Sequence, residues 1–520
     1  MKELAPGVIE AQTLTEDLEI GCDVCIIGSG PGGAVAAAVL QKAGLRVVVL
    51  EEGGYFTQAR FRQREDEAYP ALYQDGGQRA TKDLAITVLQ GKAVGGGSVV
   101  NWTTCFRTPD DVVEIWRAKH AVGSIDAAAL RPHFEEMERR LSVAPIPLDL
   151  VNPNNRTLYD GCQKLGISVE LVRRNVLGCA NTGSCGHGCP IDAKQSMLVT
   201  CVPDAIRDGA TVVSRCRAER LVLEGSRVLA VTARALDAFG LAPTGVGITV
   251  RPRTVLLCGG AINSPALLLR SGAPDPAAVL GGRTFLHPVI ISSGFFSEAI
   301  NGFSGAPQAV ASHAFAHRGE EVGYFLEAGP IHPMLAATAF PGFGVDHAEQ
   351  MRKLPHAAGH LAITIDGHHD DVSGGRVSVL ASGVPVLDYP IVERQWRAFA
   401  DAQKNLARIQ FAAGATEVRT VHDPSIVLRS ERDIALLDEA PWAPNRVGVF
   451  SAHQMGGCGM SDDPKRGVVR SEDLRHHQLA NLHVVDGSVF PTSLGVNPQL
   501  SIYGLAHLIS TRLASSLPRG

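Results

Sequence analysis

The run Cys22-Asp-Val-Cys-Ile-Ile27-Gly28-Ser-Gly30-Pro-Gly-Gly33-Ala34 decides the fold. A short apolar segment stops abruptly at Gly28, as a buried parallel strand does, and Ala34 to Ala43 then reads as a helix. A second apolar run, Val47 to Leu50, closes on Glu51, 23 positions after Gly28. Strand, glycine turn, helix and strand make one βαβ unit. Gly28, Gly30 and Gly33 let the backbone approach a pyrophosphate at the helix N-terminus, and Glu51 is placed to accept hydrogen bonds from a ribose. A glycine hexapeptide alone is weak evidence. With strand, helix and acid around it, it reads as a dinucleotide site that leaves NAD and FAD both open.

Two distant segments repeat the pattern. Thr254-Val-Leu-Leu-Cys-Gly259-Gly260-Ala261 is an apolar run ending in glycine, followed by a helical stretch from Ile262 to Arg270. Leu482-His-Val-Val-Asp486-Gly487-Ser488 is another, running into Pro491 and a helix from about Pro498 to Leu513. Both return the chain to the first sheet. The intervening residues 284–444 carry alternating runs, His360-Leu-Ala-Ile-Thr-Ile and Arg376-Val-Ser-Val-Leu, which suit an antiparallel sheet. The expected class is α/β: a Rossmann-like nucleotide-binding domain interleaved with an α+β substrate domain built on an antiparallel sheet. The segments are 20–105, 201–283 and 445–520 for the first, 284–444 for the second, and a cap with a cysteine-rich stretch over 106–200.

Composition narrows the functional classes. The chain has 520 residues, 45% of them hydrophobic, with 48 basic and 53 acidic side chains and a net charge of −5. That is ample for a multidomain globular protein and gives no electrostatic footprint for nucleic acid. No apolar run reaches the roughly 18 residues of a transmembrane helix. The start, Met1 to Pro6, lacks a cationic flank leading into an apolar stretch, so a cytoplasmic location is expected. Eleven cysteines are too sparse for a disulfide scaffold, and most are expected to be buried thiols. Cys22 and Cys25, three apart on a strand, point to opposite faces and make poor redox partners.

From about residue 20 to its end the chain resembles the glucose-methanol-choline oxidoreductase family. The resemblance rests on the Gly28 fingerprint with Glu51; on Gly91-Lys-Ala-Val-Gly95-Gly96-Gly97-Ser98-Val-Val-Asn101-Trp102; on Gly260-Ala-Ile-Asn-Ser264-Pro265; and on Ser451-Ala-His453-Gln-Met-Gly-Gly-Cys458 with Asp486 to Asn497-Pro498. The stretches Gly95 to Trp102 and Gly495-Val-Asn-Pro498 look most like the long-chain alcohol oxidase branch. The resemblance implies FAD, with Gly96, Gly97, Ser98 and Asn101 lining the pyrophosphate and ring, Ala218 meeting the adenine, and Gly260, Asp486, Gly487 and Pro498 completing the site. Some members attach FAD through a histidine just before the asparagine; Val100 stands there, so the FAD is expected to be noncovalent.

The implied reaction is alcohol oxidation by hydride transfer to flavin N5. An alcohol with pKa near 16 is about 9 units above an imidazole near 6.5, or roughly 12 kcal/mol uphill, so proton loss must be coupled to hydride loss. By its match to the family motif, His453 takes the base role and Asn497 orients the hydroxyl. Without the family, His453 is one of 18 histidines and would read as a structural hydrogen-bonding residue.

Cys179-Ala-Asn-Thr-Gly-Ser-Cys185-Gly-His187-Gly-Cys189-Pro190 places three thiols within eleven residues. The spacing is similar to that of iron-sulfur dehydrogenases of this family, whose three thiolates hold a three-iron [3Fe-4S] cluster. Zinc on the thiolates and His187, and plain reduced thiols, stay open beside it. A cluster would pass electrons to an external acceptor protein and make the enzyme an alcohol dehydrogenase, the main reading. Without it, oxygen is the acceptor and hydrogen peroxide the product of an alcohol oxidase. A redox-neutral lyase is a third class. Among weaker features, Gly367-His368-His369-Asp370-Asp371 reads as a solvated turn, His287 as structural near the domain junction, and His476-His477 as exposed. An aromatic content of 5% favours an aliphatic or alicyclic substrate over a stacked sugar.

Overall fold

The computed structural model describes residues 7 to 518; Met1 to Pro6, read above for a leader, lie outside the described residues. Leu18–Ile27 pairs in parallel with Val47–Leu50 and with Pro243–Leu257, placing Ile27 opposite both Leu50 and Leu257. Leu482–Val484 pairs in parallel with Pro243–Leu257, Val484 opposite Leu257. The three glycine-ended strands therefore finish at one level, as their sequences predict. Thr211–Ser214 and Gly7–Glu10 extend this eight-stranded sheet on one side, and the antiparallel strands Arg227–Leu236 and Cys216–Glu224 extend it on the other.

Along Leu18–Ile27 the first residues alternate between buried and exposed, while Cys22 to Ile27 are all buried or nearly so. The continuous apolar run marks where helices cover both faces. One is Pro31–Lys42, with Pro at its first position and Gly44 at φ 88° just past its end. Its buried alanines let the helices Gln499–Ser516 and Cys201–Arg207 pack close.

The second sheet has nine strands, ordered Val427–Leu428, Glu417–Thr420, Val289–Phe295, Ala357–Thr364, Tyr324–Ala328, Val310–Ser312 and Glu170–Leu171, with Val449–Ser451 and Ile86–Val88 joined at Val289–Phe295. Helix Glu393–Ala413 covers one face through Trp396, Phe399, Leu406 and Ile409, with helix Pro153–Lys164 beside it. The other face looks into a cavity.

This sheet departs from the segment boundaries read in the sequence. Ile86–Val88, Glu170–Leu171 and Val449–Ser451 all lie outside 284–444 yet belong to it. Arg376–Val379, expected in it, instead forms a separate hairpin with Pro385–Asp388 against helix Gly260–Ser271. Alternation shows that a strand has two unlike faces; it does not say which sheet supplies its neighbours.

Candidate active site

A cavity of about 1370 Å³ runs from the glycine ends of the first sheet to the open face of the second. It exceeds the usual space of one small ligand and suits a dinucleotide with a substrate. Every sequence-derived cofactor residue lines it except Gly33. A Cβ at Gly33 would lie 1.9 Å from the Gly28 carbonyl oxygen, so that glycine serves helix-to-strand packing. Gly28 has φ 103°, and Gly96 sits so close to Gly30 that a Cβ on it would lie 2.5 Å from the Gly30 Cα. Gly97 meets nothing, which leaves its backbone open to a ligand.

The acids at the strand ends hold the loops in shape. Glu51 accepts from the Ser29 N–H at 2.9 Å, the Ser29 hydroxyl at 2.7 Å and the Gly53 N–H at 2.8 Å. Three of its roughly four acceptor positions are used, leaving one for a ribose hydroxyl. Asp486 accepts from the Gly260 N–H at 2.8 Å, the Ser264 hydroxyl at 2.5 Å and the Ser488 N–H at 2.8 Å, tying two glycine turns together. Burial raises the pKa of both acids, while these donors pull it back. Ser98 spends its hydroxyl on the Gly95 carbonyl and the Met197 N–H, so only its backbone remains for a cofactor. Asn101 donates to Gln499 Oε1 at 2.6 Å. Val100 is buried and offers no nucleophile for a covalent bond. The residues fit FAD: glycine backbone would take the pyrophosphate, Glu51 and Ala218 would lie toward the adenosine, and Asn101, Asn497 and Pro498 line the far end of the cavity.

At that far end the structure brings His453 and Asn497 together, with His453 Nε2 3.3 Å from Asn497 Nδ2. His453 follows strand Val449–Ser451 of the second sheet, whereas Asn497 opens the last helix of the first. His287, read as structural, is buried against them, its Nδ1 3.2 Å from His453 Nδ1. The Gly495 N–H donates to His287 Nε2 at 3.1 Å. A neutral His287 accepting at Nε2 carries its proton on Nδ1 and donates it to His453 Nδ1. Burial holds the pKa of both rings down, that of His453 to about 4. Followed through, that direction puts the proton of neutral His453 on Nε2, whereas the Asn497 Nδ2 contact at 3.3 Å suits the tautomer in which Nε2 accepts. Asp366 fixes the arrangement by accepting the His287 backbone N–H at 3.1 Å.

One residue of the site was missed in the sequence. Along Tyr324–Ala328, Glu327 lines the cavity and pairs with Leu361, while Phe325 pairs with Ile363 on the adjacent strand. Val289 and Ile291 continue the two rows. Glu327 is thus the acid on an otherwise apolar surface. It is fully buried, and desolvation raises its pKa to about 8 despite hydrogen bonds from Asn497 and Gln308. Its Oε2 accepts from Gln308 Nε2 at 2.6 Å and Asn497 Nδ2 at 3.3 Å. Its Oε1 and Asn497 Oδ1 have no hydrogen-bond partner among the described residues. An acid inside Tyr-Phe-Leu-Glu-Ala, where burial is otherwise complete, was the available signal.

The three loop cysteines are half-buried and unbridged. Cys185 lies 3.8 Å from Arg174 Nη2, and Cys189 accepts from the Lys194 N–H at 3.5 Å. All three border a space of about 10 Å³, roughly the room of a single water. His187 faces away from the thiols, toward Glu65 and His332. His476, expected to be exposed, is buried, and His368 Nε2 donates to the Ser493 carbonyl oxygen at 3.0 Å; only Asp370 and Asp371 of that turn are exposed.

Comparison with known proteins agrees with this geometry. Models of the GMC oxidoreductase N- and C-terminal regions match residues 69–289 and 371–506, and an FAD-binding domain model matches 21–62. A long-chain-alcohol oxidase of Arabidopsis thaliana is 30% identical over 555 aligned positions, covering 100% of this chain and 72% of that protein. A GMC-type oxidoreductase of Mycobacterium tuberculosis is 31% identical over 500, covering 95% and 76%. Among solved structures, pyridoxine 4-oxidase from Mesorbium loti superposes with a TM-score of 0.69 at 19% identity over 94% of this chain and 99% of that one, which speaks to the fold alone. The chain belongs to the GMC oxidoreductase family and is an FAD-dependent enzyme that acts on the CH–OH group of alcohols.

Proposed function

We propose that the protein is an alcohol oxidase for apolar, long aliphatic alcohols, converting them to aldehydes with oxygen as acceptor and hydrogen peroxide as product. The observation that carries the substrate class is the apolar face of the second sheet, Val289, Ile291, Leu361 and Ile363, leading to a single buried acid at Glu327. The long-chain-alcohol oxidases among its relatives support the acceptor, and the small space beside the three cysteines lends no support to electron export through a cluster.

When bound, FAD supplies the hydride acceptor and returns the electrons to oxygen. The chain's own residues handle the hydroxyl. His453 Nε2 and Asn497 Nδ2 lie 3.3 Å apart, and with the His453 proton on Nε2 both are donors that one alcohol oxygen can accept from together. The hydroxyl proton then passes to Glu327 as the carbinol hydrogen leaves. Burial raises the pKa of Glu327 to about 8 and lowers that of His453 to about 4, so the same desolvation makes the carboxylate the readier proton acceptor of the two. That direction, with the unpartnered Oε1 of Glu327 beside Asn497, supports the assignment, and a base near neutral pH is the efficient choice.

The test is a series of primary alcohols of increasing chain length with simultaneous oxygen and peroxide electrodes. The reading expects kcat/KM to rise with chain length and one peroxide per oxygen consumed. Turnover only with artificial electron acceptors would restore the dehydrogenase; turnover with a redox-inactive flavin analogue would indicate the lyase.

A further inference from the structure

Glu65, His187 and His332 come from three separate segments: the first residue of helix Glu65–Leu72, the short turn Cys185–His187 inside the cysteine loop, and the residue preceding helix Pro333–Ala339. One potential ligand atom from each lies within 4.8 Å of the other two, and among the described residues this is the one such grouping of three. Both imidazoles are buried, with 3% and 7% of their surface exposed, and their ring centres are 4.4 Å apart.

The hydrogen-bond pattern makes His332 and Glu65 acceptors and leaves His187 Nε2 without a partner among the described residues. His332 Nε2 lies 3.2 Å from the Gly183 carbonyl oxygen, so that nitrogen carries the proton and the other keeps its lone pair. His187 Nε2 is buried with no hydrogen-bond partner among the described residues. The Glu65 carboxylate accepts the Met334 N–H at 2.7 Å and the Leu335 N–H at 2.9 Å, and each oxygen retains a lone pair. Two buried imidazoles, one with an unpartnered nitrogen, converge on a half-buried carboxylate, and a cation between them satisfies all three at once.

We infer that Glu65, His187 and His332 form a binding site for a divalent transition-metal ion of the zinc type, with the fourth position left to water. Two imidazole nitrogens and one carboxylate suit zinc, while magnesium and calcium favour all-oxygen sets. The Gly183 carbonyl is the outer hydrogen-bond partner that orients a ligating histidine. The ion fastens the segment after His332 to the body of the protein. Leu335, whose N–H is bonded to Glu65, lines the large cavity, so the metal braces the wall of the substrate site and takes no part in the hydride step.

The experiment uses the full-length flavoprotein, stripped with a chelator and titrated with zinc chloride alone. Expected are a single zinc per chain retained through gel filtration, a higher Tm with zinc, and a cobalt-substituted form lacking sulfur-to-metal charge transfer. His332→Gln and Glu65→Gln should each weaken zinc binding by about 100-fold or more while keeping flavin absorbance and the metal-free Tm, since even outer partners are worth roughly 10- to 100-fold. The double variant Cys185→Ser/Cys189→Ser should bind zinc as the parent does. Failure of the parent to retain zinc, retention by both ligand variants, or loss in the cysteine variant would each overturn the site.

Discussion

His287 Nδ1 lies 3.2 Å from His453 Nδ1, and the Gly495 N–H on the far side of His287 sets the direction of that hydrogen bond. In the proposed mechanism this contact is what sets the tautomer of His453 and with it the role of that ring.

The first prediction separates donor from base at position 453. His453→Gln retains an N–H donor, and His453→Ala does not. If His453 donates, Gln recovers at least about tenfold of the turnover lost in Ala, a loss expected to be on the order of 10²–10³ as for other oxyanion donors. Equal activity of the two variants, with FAD bound in both, would return the base role to His453.

Glu327→Gln keeps shape and hydrogen bonds but cannot take a proton. Turnover should fall by about 10²–10⁴, with alcohol binding largely kept. Stopped-flow reduction of the flavin by alcohol measures this directly; a rate within a few-fold of the parent would exclude Glu327.

The pH profile follows from the same group. With a pKa near 8, the fraction of ionised Glu327 rises with pH, so kcat/KM should climb to a plateau above about 8, and Glu327→Gln should flatten this limb. Stability moves the other way. The folded-state pKa lies above the ordinary 4.5, so the neutral acid contributes stability that is complete below about 4.5 and lost as pH rises through about 8. Comparing Tm of parent and Glu327→Gln from pH 5 to 9 checks the sign.

Buried histidines act at the acid end. His360, His422 and His476 are each held near pKa 4 chiefly by burial. Their stability contribution is intact above the ordinary 6.5 and lost as pH falls toward 4, because the unfolded chain takes up those protons first. Thermal melts should show Tm declining across that window, and the triple variant to Gln should decline less steeply.

Gly32→Ala tests the glycine turn. A Cβ there would lie 1.7 Å from the Val485 carbonyl oxygen, joining the first and last glycine-ended strands by a clash with backbone. A loss of about 3 kcal/mol or more and a colourless purified protein are expected, measured by urea unfolding and visible absorbance.

The nucleotide half of the molecule was readable from the sequence because its signals are local: a strand that ends on Gly28, a helix that starts on Pro31, an acid at Glu51. The substrate half was not. Its sheet takes strands from Ile86, Glu170 and Val449 as well as from the expected segment, and no local pattern records such pairing. Glu327 escaped notice because a lone acid in an alternating strand ordinarily faces water; here the opposite face packs on Glu393–Ala413 and its own face closes over the cavity. His476 was misjudged for a similar reason, since polar neighbours in sequence did not reveal the fold over it.

His453 hangs from a strand of one lobe and Asn497 from a helix of the other, so neither lobe owns the reaction centre. Chimeras that exchange the 284–444 segment between relatives at its apparent borders would leave the arm bearing His453 paired to a foreign sheet. Laboratory recombination for new substrates should therefore carry Ile86–Val88 and Val449–Ser451 along with the exchanged piece, treating the three as one heritable block.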